Sequence, residues 1–186
     1  MKAIAVHEES LFDTVLKAVV IYDDFDSAAR ATALLERVAL RADEAMKWDI
    51  KPWRRDILKQ PTLAALTVAV AANSDLIVLA LNRIPSPPSE LRDWLKNWAE
   101  HRRIEDAAVL ALCPDESHMP STFRDEIKAF AEEHNLTFLG NHNVGNDENS
   151  ALFVHRLQQR KRPVEPASPP PFVERLPAPH RWGINE

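Results

Sequence analysis

The stretch that most constrains this chain is residues 17–26, KAVVIYDDFD, where an apolar run ends in three acidic residues and a helical pattern follows at once. A short run of Ala, Val and Ile between polar residues reads as a strand buried on both faces, the kind found inside parallel sheets. Residues 75–81, DLIVLAL, and 107–113, AAVLALC, repeat the pattern. Ligands of such sheets gather at the carboxyl ends of strands. Asp23, Asp24 and Asp26 occupy that end of the first strand, so any chemistry is expected along this acidic edge.

The intervening segments read as helices. After the first strand, Asp26 or Ser27 is placed to cap a helix to about Ala42, with Ala31, Leu34, Leu35, Val38 and Ala42 as its apolar stripe and Arg30, Glu36 and Arg37 on the wet side. Residues 46–53, MKWDIKPW, alternate with Trp48 and Ile50 on one face. Pro52 cannot donate to a ladder, which marks this strand as an edge. Pro61 opens an Ala-rich helix over residues 62–73, whose nearly continuous apolar character suggests a helix deep against the sheet. A proline-rich loop, IPSPPS, precedes a helix over 89–101 with Leu91, Trp94, Leu95 and Trp98 at i, i+3, i+4 and i+7. Thr122 and Asp125 form a capping-box variant ahead of a helix carrying Phe123, Ile127, Phe130 and Ala131. Residues 136–139 make a short last strand. The loop NHNVGNDENS leads to a helix over 150–161 with Leu152, Phe153 and Leu157 inward. Residues 1–16 stay open between a helix and an arm, because Leu11, Phe12, Val15 and Leu16 fit one helical face.

Strands alternating with helices at this spacing mean crossover units and a parallel sheet. Five units give an α/β fold: a three-layer, doubly wound, five-stranded parallel sheet. With Pro52 placing strand two at an edge, right-handed crossovers give the order 2-1-3-4-5. The expected organisation is an arm at 1–16, one domain at 17–162 and a proline-rich C-terminal tail at 163–186, which holds seven of the 14 prolines. Such composition favours extended backbone or disorder. Phe172, Leu176 and Trp182 are apolar anchors within it, unusual for a plain linker.

Charge and cysteine content narrow the function classes. The net charge is −5, with +3 from Arg156 onward and −8 on the preceding residues. An acidic body argues against nucleic-acid binding, which rests on neutralising phosphates with Lys and Arg. The single cysteine, Cys113, makes no internal disulfide, no Cys/His spacing suits zinc, and no apolar stretch reaches the ~20 residues of a membrane span. No stretch near the amino terminus has the apolar core of a signal peptide. A cytoplasmic location is the expectation.

Residues 17–140 resemble the receiver domain of bacterial response regulators. The pair Asp23 and Asp24 looks like that family's magnesium-binding acidic pair, DSAARATALLERV is similar to its first helix, and DLIVLALNRIP looks like its third strand and loop. The resemblance places Ala80 where the family carries its phosphate-accepting aspartate. Leu112 and Cys113 stand at the family's Ser/Thr position, with Ser117 further on, and Gly140 or Asn141 matches its lysine. An alanine methyl cannot attack a phosphoryl donor. The resemblance therefore implies the fold and a pseudo-receiver without ordinary phosphorelay.

Other chemistries are weighed at the same edge. Asp23 and Asp24 are the candidate ligands for a weakly held magnesium ion, which needs only one or two carboxylates. Against this, Asp24 or Asp26 serves as a helix cap, with Asp23 solvated. Asp24-Phe25-Asp26 also resembles the nucleophile motif of haloacid-dehalogenase-type phosphatases, though only Asp115 and Glu116 stand in for its late acidic pair. Phosphate cradles need glycine or small hydroxylated residues at a helix start, and DDFDS offers three carboxylates instead, which disfavours nucleotide and flavin binding. The histidines at 101, 118, 134, 142, 155 and 180 share no spacing. Cys113 reads as a small core residue. Trp94 and Trp98 read as core, with a dimer through their helix as the second reading.

The expectation is a non-enzymatic, receiver-like regulatory or protein-interaction domain that associates with a partner or a second copy. Contact would run through the tail (Phe172, Leu176, Trp182) or the Trp94/Trp98 helix. The alternative is a metal-dependent small-molecule or phosphate-processing enzyme using Asp23, Asp24 and Asp26. The first reading expects no cofactor, and magnesium belongs only to the alternative.

Overall fold

The computed structural model describes residues 14–42, 46–82, 84–113 and 120–140. Its elements run β1 (Thr14–Tyr22), α1 (Phe25–Ala42), β2 (Met46–Arg54), a 3-10 turn (Arg55–Lys59), α2 (Pro61–Ala71), β3 (Leu76–Ala80), α3 (Ser89–His101), β4 (Ala108–Leu112), α4 (Ser121–Glu133) and β5 (Thr137–Leu139). The strands form one parallel sheet in the order β2-β1-β3-β4-β5, as the alternation of strands and helices requires. That is the flavodoxin-like order of doubly wound sheets. Thr14, Val15 and Leu16 belong to β1, which removes the helical reading of their stretch. The rest of the expected arm, the helix at 150–161 and the tail lie outside the described residues. Among the described residues no helix is long and apolar enough to cross a membrane.

Side chains of β1, β3 and β4 alternate between two apolar clusters. On one face Val19, Ile21, Ile77, Leu79, Val109 and Ala111 meet α2, α3 and α4, while on the other Ala18, Val20, Val78 and Ala80 meet α1. The stripe of α1 is narrower than the sequence suggests: Ala31, Leu35 and Ala39 are buried, and Leu34 and Val38 only half-buried. At the amino end of the sheet the buried Asp75 fastens β3 to β1. Its Oδ2 accepts the Lys17 backbone N–H at 2.8 Å, and its own N–H donates to the Lys17 carbonyl at 2.8 Å.

The α2–α3 interface is held by two indoles. Trp94 and Trp98 stack at 6.5 Å, and they are only 3% and 0% exposed, so both belong to the chain's own core. This is the core reading of the two indoles. Trp94 Nε1 donates to Thr67 Oγ1 at 2.7 Å, and Trp98 Nε1 donates to the Ala71 carbonyl at 3.0 Å. Thr67 in turn donates to the Ala64 carbonyl at 2.7 Å, so the buried hydroxyl is used as donor and acceptor.

Three local expectations change. Helix α2 does not lie deep: Thr67, Val68 and Ala71 face inward, while Ala65, Ala69 and Leu66 (50% exposed) face out. Alanine tolerates either environment, so its abundance does not report depth. Thr122 does not cap α4. Pro120 holds that position without a side-chain bond, and the Thr122 hydroxyl donates to the Pro85 carbonyl at 2.8 Å, tying α4 to the loop after β3. Leu136 is not part of β5 but closes α4: its N–H donates to the Ala131 carbonyl and that of Asn135 to Glu132, with Asn135 at φ 53°. This is a Schellman closure with asparagine in the left-handed position usually held by glycine.

Replacing Thr67 by Val leaves the Trp94 indole N–H buried without an acceptor. The expected cost is about 1–3 kcal/mol in urea unfolding, with Thr67→Ser retaining most of the stability. An unchanged unfolding midpoint for Thr67→Val would remove this bond from the account of the α2–α3 interface.

Candidate functional site

In the β1–β3 register Tyr22 lies opposite Ala80, and on the other side it lies opposite Arg54. Asp23, Asp24 and Phe25 therefore emerge at the carboxyl edge beside the ends of β3 and β2, where the sequence places the site. The two carboxylates then diverge.

Asp23 turns toward neighbouring strand ends. Its Oδ2 accepts the Asn82 backbone N–H at 3.1 Å, just past β3, and its Oδ1 lies 2.7 Å from Arg55 Nε at the start of the 3-10 turn. Oδ1 is shielded from solvent and accepts no directed hydrogen bond, so the Arg55 contact is an ion pair with poor N–H alignment. The side chains are only 17% and 29% exposed, which corrects the picture of a solvated Asp23. One carboxylate thus joins the carboxyl ends of β1, β3 and β2.

Asp24 turns the other way and caps α1. Its Oδ1 accepts the Ser27 N–H at 2.8 Å and its Oδ2 the Ser27 hydroxyl at 3.1 Å, while its carbonyl accepts the Ala28 N–H at 3.1 Å. The cap is Asp24, neither Asp26 nor Ser27, because the helix begins at Phe25. Asp26 sits exposed in the first turn, where negative charge is favoured, and its carbonyl accepts from Arg30 Nε at 3.4 Å. Phe25 stands out at 73% exposure and contacts the Tyr22 ring at 6.0 Å.

These geometries bear on each candidate chemistry. A magnesium ion needs carboxylate oxygens facing a common point, and here both oxygens of Asp24 face Ser27 while those of Asp23 face Arg55 and Asn82. As folded, the pair does not fit the ion. Among the described residues no group of three or more His, Cys, Asp or Glu side chains is placed to hold a metal. The same cap fills the helix start that a nucleotide or flavin phosphate would need, and it does so with negative charge. Asp24, the position of a phosphatase nucleophile, has its carboxylate engaged in capping. Asp115, Glu116, Ser117 and Asn141 lie outside the described residues.

The positions matched to a receiver's phosphorylation residues are also placed. Ala80 is buried at the end of β3, and Leu112 and Cys113 are buried at the end of β4. Gly140 follows β5, and an added Cβ there would meet nothing closer than the Phe138 ring at 3.8 Å, an ordinary contact. Space does not dictate that glycine. The sequence pointed to Asp23, Asp24 and the strand ends, but not to Arg55 or Asn82. Asn82 is 59 positions from Asp23, and no local spacing signals such a bond.

No family model matches this sequence, and no curated protein matches it. Among solved structures it is similar to a flavodoxin-like domain from Synechococcus, at TM-score 0.42 and 12% identity, covering 77% of this chain and 96% of that one. It is similar also to an azoreductase from Bacillus anthracis, at TM-score 0.41 and 8% identity, covering 78% and 96%. A third similar structure, from Streptococcus mutans, has TM-score 0.36 and 10% identity, covering 78% and 98%. The flavodoxin-like assignment rests on the strand order itself.

The cap makes a direct prediction. Asp24→Ala is expected to lower stability by about 1 kcal/mol in urea unfolding and Asp24→Ser by less, since serine also caps. Equal losses for both variants would show that the Ser27 bonds are not what Asp24 contributes.

Proposed function

We propose that this chain is a non-enzymatic, receiver-like interaction domain that does not take part in ordinary phosphorelay. The observation that carries the reading is the use of the acidic pair. At the edge where this fold builds ligand sites, Asp23 is bound to Arg55 and Asn82, and Asp24 to Ser27, so both carboxylates serve the fold. Ala80, buried opposite Tyr22, supplies no nucleophile at the position that the receiver resemblance matches to the phosphoacceptor.

In this reading the chain acts by association, and the anchors are Phe172, Leu176 and Trp182 of the proline-rich tail, which lie outside the described residues. The support is compositional: the segment's seven prolines favour extended backbone, and its large apolar residues have little to gain from remaining in water. A second copy of the chain is the partner to test first.

Two measurements examine the two halves of the proposal. Incubation with acetyl phosphate and magnesium is expected to leave the intact mass unchanged, and a mass increase of one phosphoryl group would overturn the pseudo-receiver reading. Light scattering on size-exclusion chromatography is expected to give the full chain a mass above that of one protomer. The mass should fall to one protomer when Phe172, Leu176 and Trp182 are together replaced by Ser. Single-protomer masses for both proteins would overturn self-association through the tail.

A further inference from the structure

Helix α2 lacks the feature that lets the other helices face water. From Gln60 to Ser74 the chain carries no charged residue, and a helix without a charged side is normally enclosed all round. Here one side only is enclosed. Thr67, Val68 and Ala71 are buried, the first of them bonded to Trp94 of α3. Thr62, Ala65, Leu66 and Ala69 are exposed, Leu66 at 50%. At the helical repeat these four fall within an arc of about 100° on the outer side.

The outer sides of α1, α3 and α4 differ, because each presents exposed charges: Arg30 and Glu36, Asp93 and Lys96, and Glu126 and Lys128. Docking such a surface on α2 takes those charges out of water with nothing on α2 to pair them. Among the described helices, the one uncharged outer face that a second copy can offer is α2 again. That face is also complementary to itself, as contact across a twofold axis requires. With two copies of α2 antiparallel, Leu66 of one lies over Ala69 of the other, and Thr62 of one approaches Asn73 of the other. Ala65 and Ala69 leave room for the leucine and let the axes approach to the short end of the usual ~8–10 Å.

We propose that α2 is a self-association surface, pairing antiparallel with α2 of a second copy through Leu66 over Ala69. The inference goes beyond the tail contact proposed above and does not depend on it. The helix has 11 residues and is about 16 Å long, so its outer face offers well under the ~800 Å² per partner of a standard interface. The pairing is therefore transient and populated at high protein concentration.

The test is sedimentation equilibrium at rising concentration, on the chain carrying Phe172→Ser, Leu176→Ser and Trp182→Ser so that the tail anchors take no part. The average mass is expected to climb above one protomer. In the same background Leu66→Glu alone, or Ala69→Lys alone, is expected to weaken association by about tenfold or more, because each sets like charges close together across the axis. Mixing the two variants is expected to restore it, since the carboxylate introduced at position 66 then faces the ammonium introduced at position 69. Both positions are exposed, and an unchanged urea midpoint for each variant separates lost association from lost fold. One protomer at every concentration would overturn the proposal, as would association that both substitutions leave unchanged. Two weakened variants whose mixture stays dissociated would overturn the pairing of Leu66 with Ala69. The chain with its natural tail reports separately on the tail contact, which can fail while the α2 contact persists, or the reverse.

Discussion

The structure depends on burying β1, β3 and β4 from both sides at once. Each of these strands is apolar at successive positions, so neither face can be left to water, and helices must be placed on both. Parallel pairing supplies them, because every return to the amino end of the sheet requires a crossover long enough to hold a helix. Asp75 is consistent with the same demand. It stands where a buried strand begins, and its carboxylate accepts the Lys17 amide there.

At the opposite edge the fold uses acids for its own cohesion. Asp23 and Asp24 are neighbours in sequence, yet one carboxylate joins three strand ends and the other closes a helix. Both roles require oriented oxygens, the same property that a metal or phosphoryl site requires. A carboxylate already oriented by two internal donors is a poor ligand for a third group, because binding must first break those contacts. Acidic residues at the carboxyl end of a parallel strand thus mark a place of electrostatic importance without specifying catalysis.

What the sequence made legible was whatever depends on neighbours along the chain. The buried strands, the stripe of α3 and the edge position of β2 all follow from runs of residues or from one proline. Contacts between distant segments were not legible: Arg55 and Asn82 meet Asp23 only because the sheet brings three strand ends together. The depth of α2 was misjudged for a different reason, since Ala and Thr carry little information about solvent. At α4, Thr122 has the right chemistry for a cap but sits one residue inside the helix, and its hydroxyl is drawn to Pro85.

Pro52 bears on how the sheet ends. It pairs opposite Val20 within β2, the outer strand, and a proline is tolerated there only with its nitrogen turned away from β1. Among the described residues no strand pairs with the outer rim of β2, which lacks one donor that an incoming strand would need, and Lys47 and Lys51 add charge along the same strand. Together they discourage edge-to-edge polymerisation. The proline that fixes the strand order thereby also limits growth of the sheet, a safeguard against fibre formation in a chain whose central strands are so apolar.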